Sequence, residues 1–268
     1  MRKKLLIFLI IILFFILGGV SFFWWQRNQR KKAQETVSVP TTVKKVNQLE
    51  ISKRPYVALL PYPNSARCDG VEMLIENLKN GETLAEYELE YTAGPLIQGV
   101  FGRRDLTEAG AEHQPLEFGS CSKGKCKCDK EITGGSLTLN FSLPDDEYSL
   151  KSDFSLQTVE KGQEEITSTD ARLLIDVNSA LPDNTQVIVM KTMGLPGEIN
   201  GEVLAGPYGI FTPRNIKLKK AIEVSLQTKD EGKLMFWNGK AWQELDVEAS
   251  DGKLTSTISE TGVIALVR

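Results

Sequence analysis

Two periodicities divide this chain. Leu5 to Trp25 carries no charge, and Leu5 to Leu17 is an unbroken run of Leu, Ile and Phe. As a helix, residues 5–25 span about 31 Å, the thickness of a bilayer's hydrocarbon core. Each Leu, Ile or Phe favours insertion by roughly 0.3 to 0.6 kcal/mol. The pattern predicts a transmembrane helix over 5–25 that contacts the lipid bilayer, with a short cytoplasmic tail at 1–4. It ends in Phe22-Phe23-Trp24-Trp25, where a cleaved signal peptide needs small residues. Bulky aromatics suit the interfacial belt of a retained anchor. Gly18-Gly19-Val20-Ser21 is the one competing cleavage candidate. Basic residues flank both ends, so the four-residue tail is the stronger sign that the N-terminus stays inside. Residues 26–53 are polar, with Pro40 and neighbouring Thr residues favouring extended backbone, and read as a stalk.

Beyond the stalk the period is two. Val71, Met73 and Ile75 share one face. Asn80-Gly81 follows, and then Ala85, Tyr87, Leu89 and Tyr91 alternate with Glu86, Glu88 and Glu90. Alternating runs around Asn-Gly predict a hairpin, because a type I′ turn needs positive φ at both central residues. Leu137, Leu139, Phe141 and Leu143 alternate next. Asp145-Asp146 forms a turn before Tyr148, Leu150, Phe154 and Leu156. Helical spacing is confined to a short turn near Asp105–Ala111. The polar stretch 158–170 marks a domain boundary. After it, strands begin at Leu173, at Val187 and at Ile222. Asn238-Gly239 and Asp251-Gly252 turn the next strands, and Val263–Val267 closes the chain. The passage from Gly194 to Pro207 lacks phosphate-binding spacing and reads as a long loop. Short strands with turn dipeptides between them indicate an all-β chain. The expected fold is two β-sandwich domains, 54–160 and 168–268, preceded by the single N-terminal transmembrane helix.

Charge narrows the partners. Removing residues 1–32 takes away seven of the 32 Lys and Arg and none of the 35 Asp and Glu, leaving a net charge of −10. An acidic ectodomain is a poor nucleic-acid binder, because phosphate neutralisation needs clustered cations. Lys217, Lys219 and Lys220 are the only dense basic patch, and strand alternation explains them equally well.

Four cysteines, Cys68, Cys121, Cys126 and Cys128, form the sharpest local feature. An even number outside the cytoplasm indicates disulfides, with three pairings open. Cys121 and Cys126 bracket Ser-Lys-Gly-Lys, where Gly124 accommodates a turn. Cys126 and Cys128 point to one side of a strand and are poorly placed to bond each other. The favoured pairing is Cys121–Cys126 with Cys68–Cys128. A four-thiolate zinc site is the alternative, although the second Cys-x2-4-Cys knuckle is missing. Redox chemistry is another, with Lys123, Lys125, Lys127 and Lys130 nearby to lower thiol pKa values.

His113 is the only histidine, which weighs against Ser-His-Asp and Cys-His catalysis; it reads as a solvated loop residue. The Asp145-Asp146-Glu147 and Glu164-Glu165 clusters read as solvated turns. Asp176, Asn178, Asp183 and Asn184 hint at calcium but lack the central Gly and closing Glu of an EF-hand loop. Trp237 and Trp242 flank a hairpin turn. They form a near cross-strand pair and are also the candidate binding surface for stacking on sugar rings.

Two resemblances accompany these patterns. Gly206-Pro-Tyr-Gly-Ile-Phe-Thr-Pro213, the strand at 221–227, Trp237-Asn-Gly-Lys-Ala-Trp242 and Ile258-Ser-Glu-Thr-Gly-Val-Ile-Ala-Leu266 resemble ZU5-like β-sandwich modules of bacterial surface proteins. Gly119-Ser-Cys-Ser-Lys-Gly-Lys-Cys-Lys-Cys128 with Gly134-Gly-Ser-Leu-Thr-Leu139 resembles an uncharacterised group of membrane-anchored bacterial proteins, which often has an aromatic at the position of Cys128. Both imply location and architecture, and neither implies a catalytic residue. The expectation is a non-enzymatic, membrane-anchored, extracytoplasmic protein without cofactor that binds a protein or glycan partner. The alternatives are an envelope hydrolase using paired carboxylates and a structural spacer.

Overall fold

The computed structural model describes residues 45–108 and 113–268. The transmembrane helix expected at 5–25, the tail at 1–4 and most of the stalk lie outside these residues. No helix among the described residues is long and apolar enough to cross a membrane.

The described chain is all-β. In order, the strands are β1 (Tyr56–Tyr62), β2 (Gly70–Glu76), β3 (Leu84–Ala93), β4 (Leu96–Asp105), β5 (His113–Glu117), β6 (Gly119–Ser122), β7 (Lys125–Cys128), β8 (Ile132–Ser142), β9 (Glu147–Thr158) and β10 (Glu165–Thr167). They continue with β11 (Leu173–Asp176), β12 (Gln186–Lys191), β13 (Val203–Phe211), β14 (Ile222–Gln227), β15 (Lys233–Trp237), β16 (Trp242–Glu244), β17 (Glu248–Ser250), β18 (Lys253–Ile258) and β19 (Val263–Val267). A nine-stranded sheet runs β16-β15-β19-β13-β12-β9-β8-β3-β4. The smaller sheets are β1-β2-β5, β10-β11-β14-β18-β17 and the β6-β7 hairpin.

Two hydrophobic cores flank the large sheet. One joins Leu59, Met73 and Leu116 of the three-stranded sheet to Leu89, Leu137, Phe141 and Phe154. The other joins Ile175, Val224 and Ile258 of the five-stranded sheet to Tyr208, Phe236 and Leu266. Strand β12 belongs to both, giving Ile188 and Met190 to the first core and Val187 and Val189 to the second. A strand buried on both faces needs a continuous apolar run, which Val187 to Met190 supplies. The boundary expected between 160 and 168 is therefore not a break between sheets. β9 precedes it and pairs with β12 beyond it, and Lys44–Arg268 is one compact unit.

Three local expectations are corrected. Asn80-Gly81 does not join a hairpin. β2 pairs with β1 and β5, whereas β3 pairs with β4 and β8, so the dipeptide is a crossover between sheets. The buried Glu82 carboxylate fixes it by accepting the Lys79 and Asn80 N–H groups at 3.1 and 3.0 Å, together with the Tyr148 hydroxyl. The C-terminal end of the expected stalk is docked rather than free. The Asn47 side chain donates to Lys151 O at 2.9 Å and accepts from Lys151 N at 3.1 Å, acting as a substitute strand on the edge of β9. The Gly194–Pro207 loop ends early, because β13 begins at Val203 and absorbs Gly206-Pro207 at a register shift between Ala205 and Tyr208. Proline has no N–H to give to the ladder, and the irregularity removes that demand. The turn expected over Asp105–Ala111 begins as the end of β4, and its residues 109–112 lie outside the described chain.

Candidate functional site

The longest edge strand among the described residues belongs to the β3–β4 hairpin. β4 closes one side of the large sheet, with β3 on one flank and no strand on the other among the described residues. The alternation read in β3 holds: Ala85, Leu89 and Tyr91 are buried while Glu86, Glu88 and Glu90 are exposed. β4 contains no buried residue and exists as a strand through its ten-residue register with β3. That register sets Glu86 opposite Arg103, Glu88 opposite Phe101 and Glu90 opposite Gly99. Ile97 is 77% exposed and Phe101 83%, the two most exposed large apolar side chains described. Directly opposed residues share a face, so Ile97 and Phe101 project on the same side as the glutamate row. A long, free, apolar edge is ordinarily blunted by charge, proline or a covering element. Here the blunting is confined to Arg103, Arg104 and Asp105 at one end.

The cysteines occupy a second projecting hairpin. Cys121 lies opposite Cys126, and Gly119 opposite Cys128, so three cysteines share one face of β6-β7. Cys68, on the loop before β2, lies beneath that face and is 1% exposed. The sulfurs are at bonding distance in the favoured pairing: Cys121–Cys126 at 2.03 Å and Cys68–Cys128 at 2.08 Å. The hairpin base is pinned on both sides. Phe118 is buried against the Tyr91 ring at 4.7 Å, and the Tyr91 hydroxyl donates to Asp129 at 2.7 Å. Cys68, Cys121 and Cys126 place their sulfurs within 4.8 Å of one another, the only metal-sized group of potential ligands among the described residues. Of the calcium candidates, the Asp176 carboxylate accepts the Asn178 N–H at 2.9 Å in a local turn.

The tryptophans are directly cross-strand, with ring centroids 5.6 Å apart. Trp242 donates Nε1–H to Gly197 O at 3.1 Å, and Trp237 lies so close to Gly197 that an added Cβ would sit 2.4 Å from its ring. The pair is a half-buried clamp on the Pro196-Gly197 loop, which leaves Trp237 lining a groove with Tyr56 and Phe211. His113 lies on β5 rather than in a loop. Its Nδ1 is 3.1 Å from Glu72 and 3.2 Å from Arg214.

A cleft of about 350 Å³ holds a polar cluster that local sequence does not announce. Asp170 accepts from Lys191 Nζ at 2.8 Å, the Tyr208 hydroxyl at 2.8 Å and the Ser168 hydroxyl at 2.7 Å. Burial pushes its carboxyl up, but Lys191, Ser168 and Tyr208 together outweigh burial and hold it well below the usual carboxylate range. Burial, then the Asp170 carboxylate, push the Tyr208 phenol well above its ordinary value. Glu82 is likewise held low, because the Tyr148 hydroxyl and the Asn80 N–H outweigh its burial. Neither carboxyl has the raised pKa that a glycosidase acid needs. Both are depressed, so the stability they confer is complete above the unfolded carboxyl pKa near about 4 and is lost as pH falls through the folded values. Acid titration followed by near-ultraviolet circular dichroism is expected to show this loss below about pH 4, and Asp170→Asn is expected to flatten it. Asp170→Ala strands the hydroxyl of Tyr208, a residue with no exposed surface, and is expected to cost about 1 to 3 kcal/mol in urea unfolding.

The geometry thus brings together the four predicted cysteines and the tryptophan pair, and joins His113 to Glu72 and Arg214. It adds Ile97, Phe101 and the Asp170 cluster. Ile97 and Phe101 were hidden because apolar residues flanked by Gly99 and Gly102 break the alternation that marks a strand. Two of the Asp170 partners, Lys191 and Tyr208, lie 21 and 38 residues away in sequence. No protein-family model, no curated protein and no solved structure matches this chain.

Proposed function

We propose that this chain is a membrane-anchored, extracytoplasmic binding protein built of two β-sandwiches, and that it captures an extended segment of a partner protein by strand addition to β4. The observation that carries this reading is the edge itself. Among the described residues the strand that pairs with β4 is β3 alone, and Ile97 and Phe101 stand 77% and 83% exposed on it. In strand addition, main-chain hydrogen bonds give affinity and alternate side chains give selectivity. An added strand lies about 5 Å beyond β4 and about 10 Å from β3. Gly99, opposite Glu90, leaves a gap over which a lysine or arginine of the added strand reaches the Glu88–Glu90 row. The partner segment therefore places, on the one face that meets β4, apolar residues beside Ile97 and Phe101 with a basic residue between them beside Gly99, these positions being two apart in its sequence. The apolar leading stretch at 5–25 and the resemblance to surface modules support the membrane and exterior placement.

The test uses the full-length chain in living cells, with a photo-crosslinking residue on β4 at Gln98. A discrete adduct is expected, and Ile97→Glu with Phe101→Glu is expected to weaken its formation by about 30-fold, the scale of a central hot spot. Both positions are exposed, so the folded state is expected to change by no more than about 0.5 kcal/mol. Equal adduct yield in the double variant refutes the reading.

A further inference from the structure

The two disulfides are neighbours, and their surroundings differ in charge. The sulfurs of Cys68, Cys121 and Cys126 lie within 4.8 Å of one another, and Cys128 is bonded to Cys68. Access falls off inward: Cys126 and Cys128 are exposed, Cys121 is half-buried and Cys68 is buried. Lys125 and Lys127 alternate with Cys126 and Cys128 along β7 and project from its other face; with Lys123 and Lys130 they make the exposed hairpin cationic. The Cys121 sulfur instead has the Glu117 carboxylate at 3.7 Å, itself clamped by Arg67 at 2.6 Å. Nearby cations stabilise a thiolate and a carboxylate disfavours it. Of the four sulfurs, Cys121 is thus the one whose thiolate a neighbouring carboxylate disfavours, and so the better placed to be oxidised, while Cys126 and Cys128 are the exposed ones.

We infer that the β6-β7 hairpin is a thiol–disulfide exchange site for a dithiol reductant, in which Cys121 changes partner from Cys126 to Cys68. A thiolate of the reductant attacks exposed Cys126, forms a mixed disulfide with it and releases the Cys121 thiolate. Cys121 then attacks Cys68, forms a Cys68–Cys121 bond and releases the Cys128 thiolate. The second thiol of the reductant resolves the mixed disulfide, so the reductant leaves oxidised and Cys126 and Cys128 remain as thiols. Two electrons and two protons enter, and one protein disulfide is lost. Cys126 and Cys128 are two apart on one strand and do not close on each other, so the dithiol stays open to an incoming disulfide.

The experiment treats the full-length, oxidised chain in detergent with one equivalent of dithiothreitol, quenches it with acid, alkylates it and maps the labelled and bridged peptides. Label is expected on Cys126 and Cys128, about tenfold above label on Cys121, with a Cys68–Cys121 bridged peptide recovered. Label on Cys121 and Cys126 with Cys68–Cys128 intact overturns the proposal, as do all-four labelling and no reaction. A second arm needs no reductant. Cys126→Ser liberates Cys121, which is expected to displace Cys128 and leave Cys128 as the labelled thiol. A labelled Cys121 in that variant also overturns it. Changing Lys123, Lys125 and Lys127 together to Gln is expected to slow the wild-type exchange severalfold and to reduce its dependence on salt.

Discussion

Replacing both Cys68 and Cys128 with alanine is expected to lower the stability of the folded unit by about 4 kcal/mol. The bridge closes a separation of 60 residues, and a cross-link stabilises chiefly by restricting the unfolded chain, more so for a longer loop. The same pair of substitutions at Cys121 and Cys126, which are five residues apart, is expected to cost only about 2 kcal/mol. Cys68 is buried beside a core that already holds Phe118 and Leu116, so its bridge also fixes the β6-β7 hairpin to the three-stranded sheet. Urea unfolding of the two double variants measures the difference. Equal losses would show that the hairpin bridge, and not the long loop, governs the unfolded ensemble.

Gly135→Ala is expected to be at least as damaging, at about 4 kcal/mol or more, with a fall in Tm of about 10 °C or greater. A Cβ at position 135 would lie 1.9 Å from Glu90 O and 2.7 Å from Tyr91 Cα. Both are backbone atoms of β3, so no side-chain rotation relieves the contact. β8 is an interior strand between β3 and β9, and separating it from β3 breaks a ladder that runs from Leu84 to Ala93. Gly99→Ala on β4 is the control. Its nearest neighbour would be Leu89 O at 3.7 Å, ordinary contact distance, and the expected change is within about 1 kcal/mol. Thermal unfolding of the two variants compares them directly.

Much of the strand content was legible because burial on one face writes a period of two. Leu137, Leu139 and Phe141 are all fully buried on β8, and Ile222, Val224 and Leu226 are buried on β14. Asn238-Gly239 and Asp251-Gly252 turn real hairpins, β15-β16 and β17-β18. Asn80-Gly81 carries the same local signal and does something else. Only Gly81 keeps a positive φ, at 76°, while Asn80 does not; β1 and β5 compete for β2, and sequence proximity does not rank strand partners. The buried carboxylate of Glu82 then stabilises the crossover. The cysteine pairing was readable from a short bracketed turn and a poor i, i+2 geometry. The β4 edge was not, because an apolar residue is expected inside, and only the sheet order reveals that no described strand lies beyond Ile97 and Phe101. Asp170 falls in a polar stretch that reads as a linker, although its carboxylate ties Ser168 to Lys191 and Tyr208.

The doubly buried β12 also limits how this protein can be inherited. A gene fragment ending near residue 160 would retain β1 to β9 yet lose Ile188, Met190, Met193, Phe211 and Val263 from the first core. It would also bare the flank of β9 that β12 occupies. The complementary fragment would contain β12 with its Ile188 side facing water. Neither piece is expected to persist as a soluble species, so recombination at the polar stretch is closed to it, and the two halves must be gained, lost and transferred together.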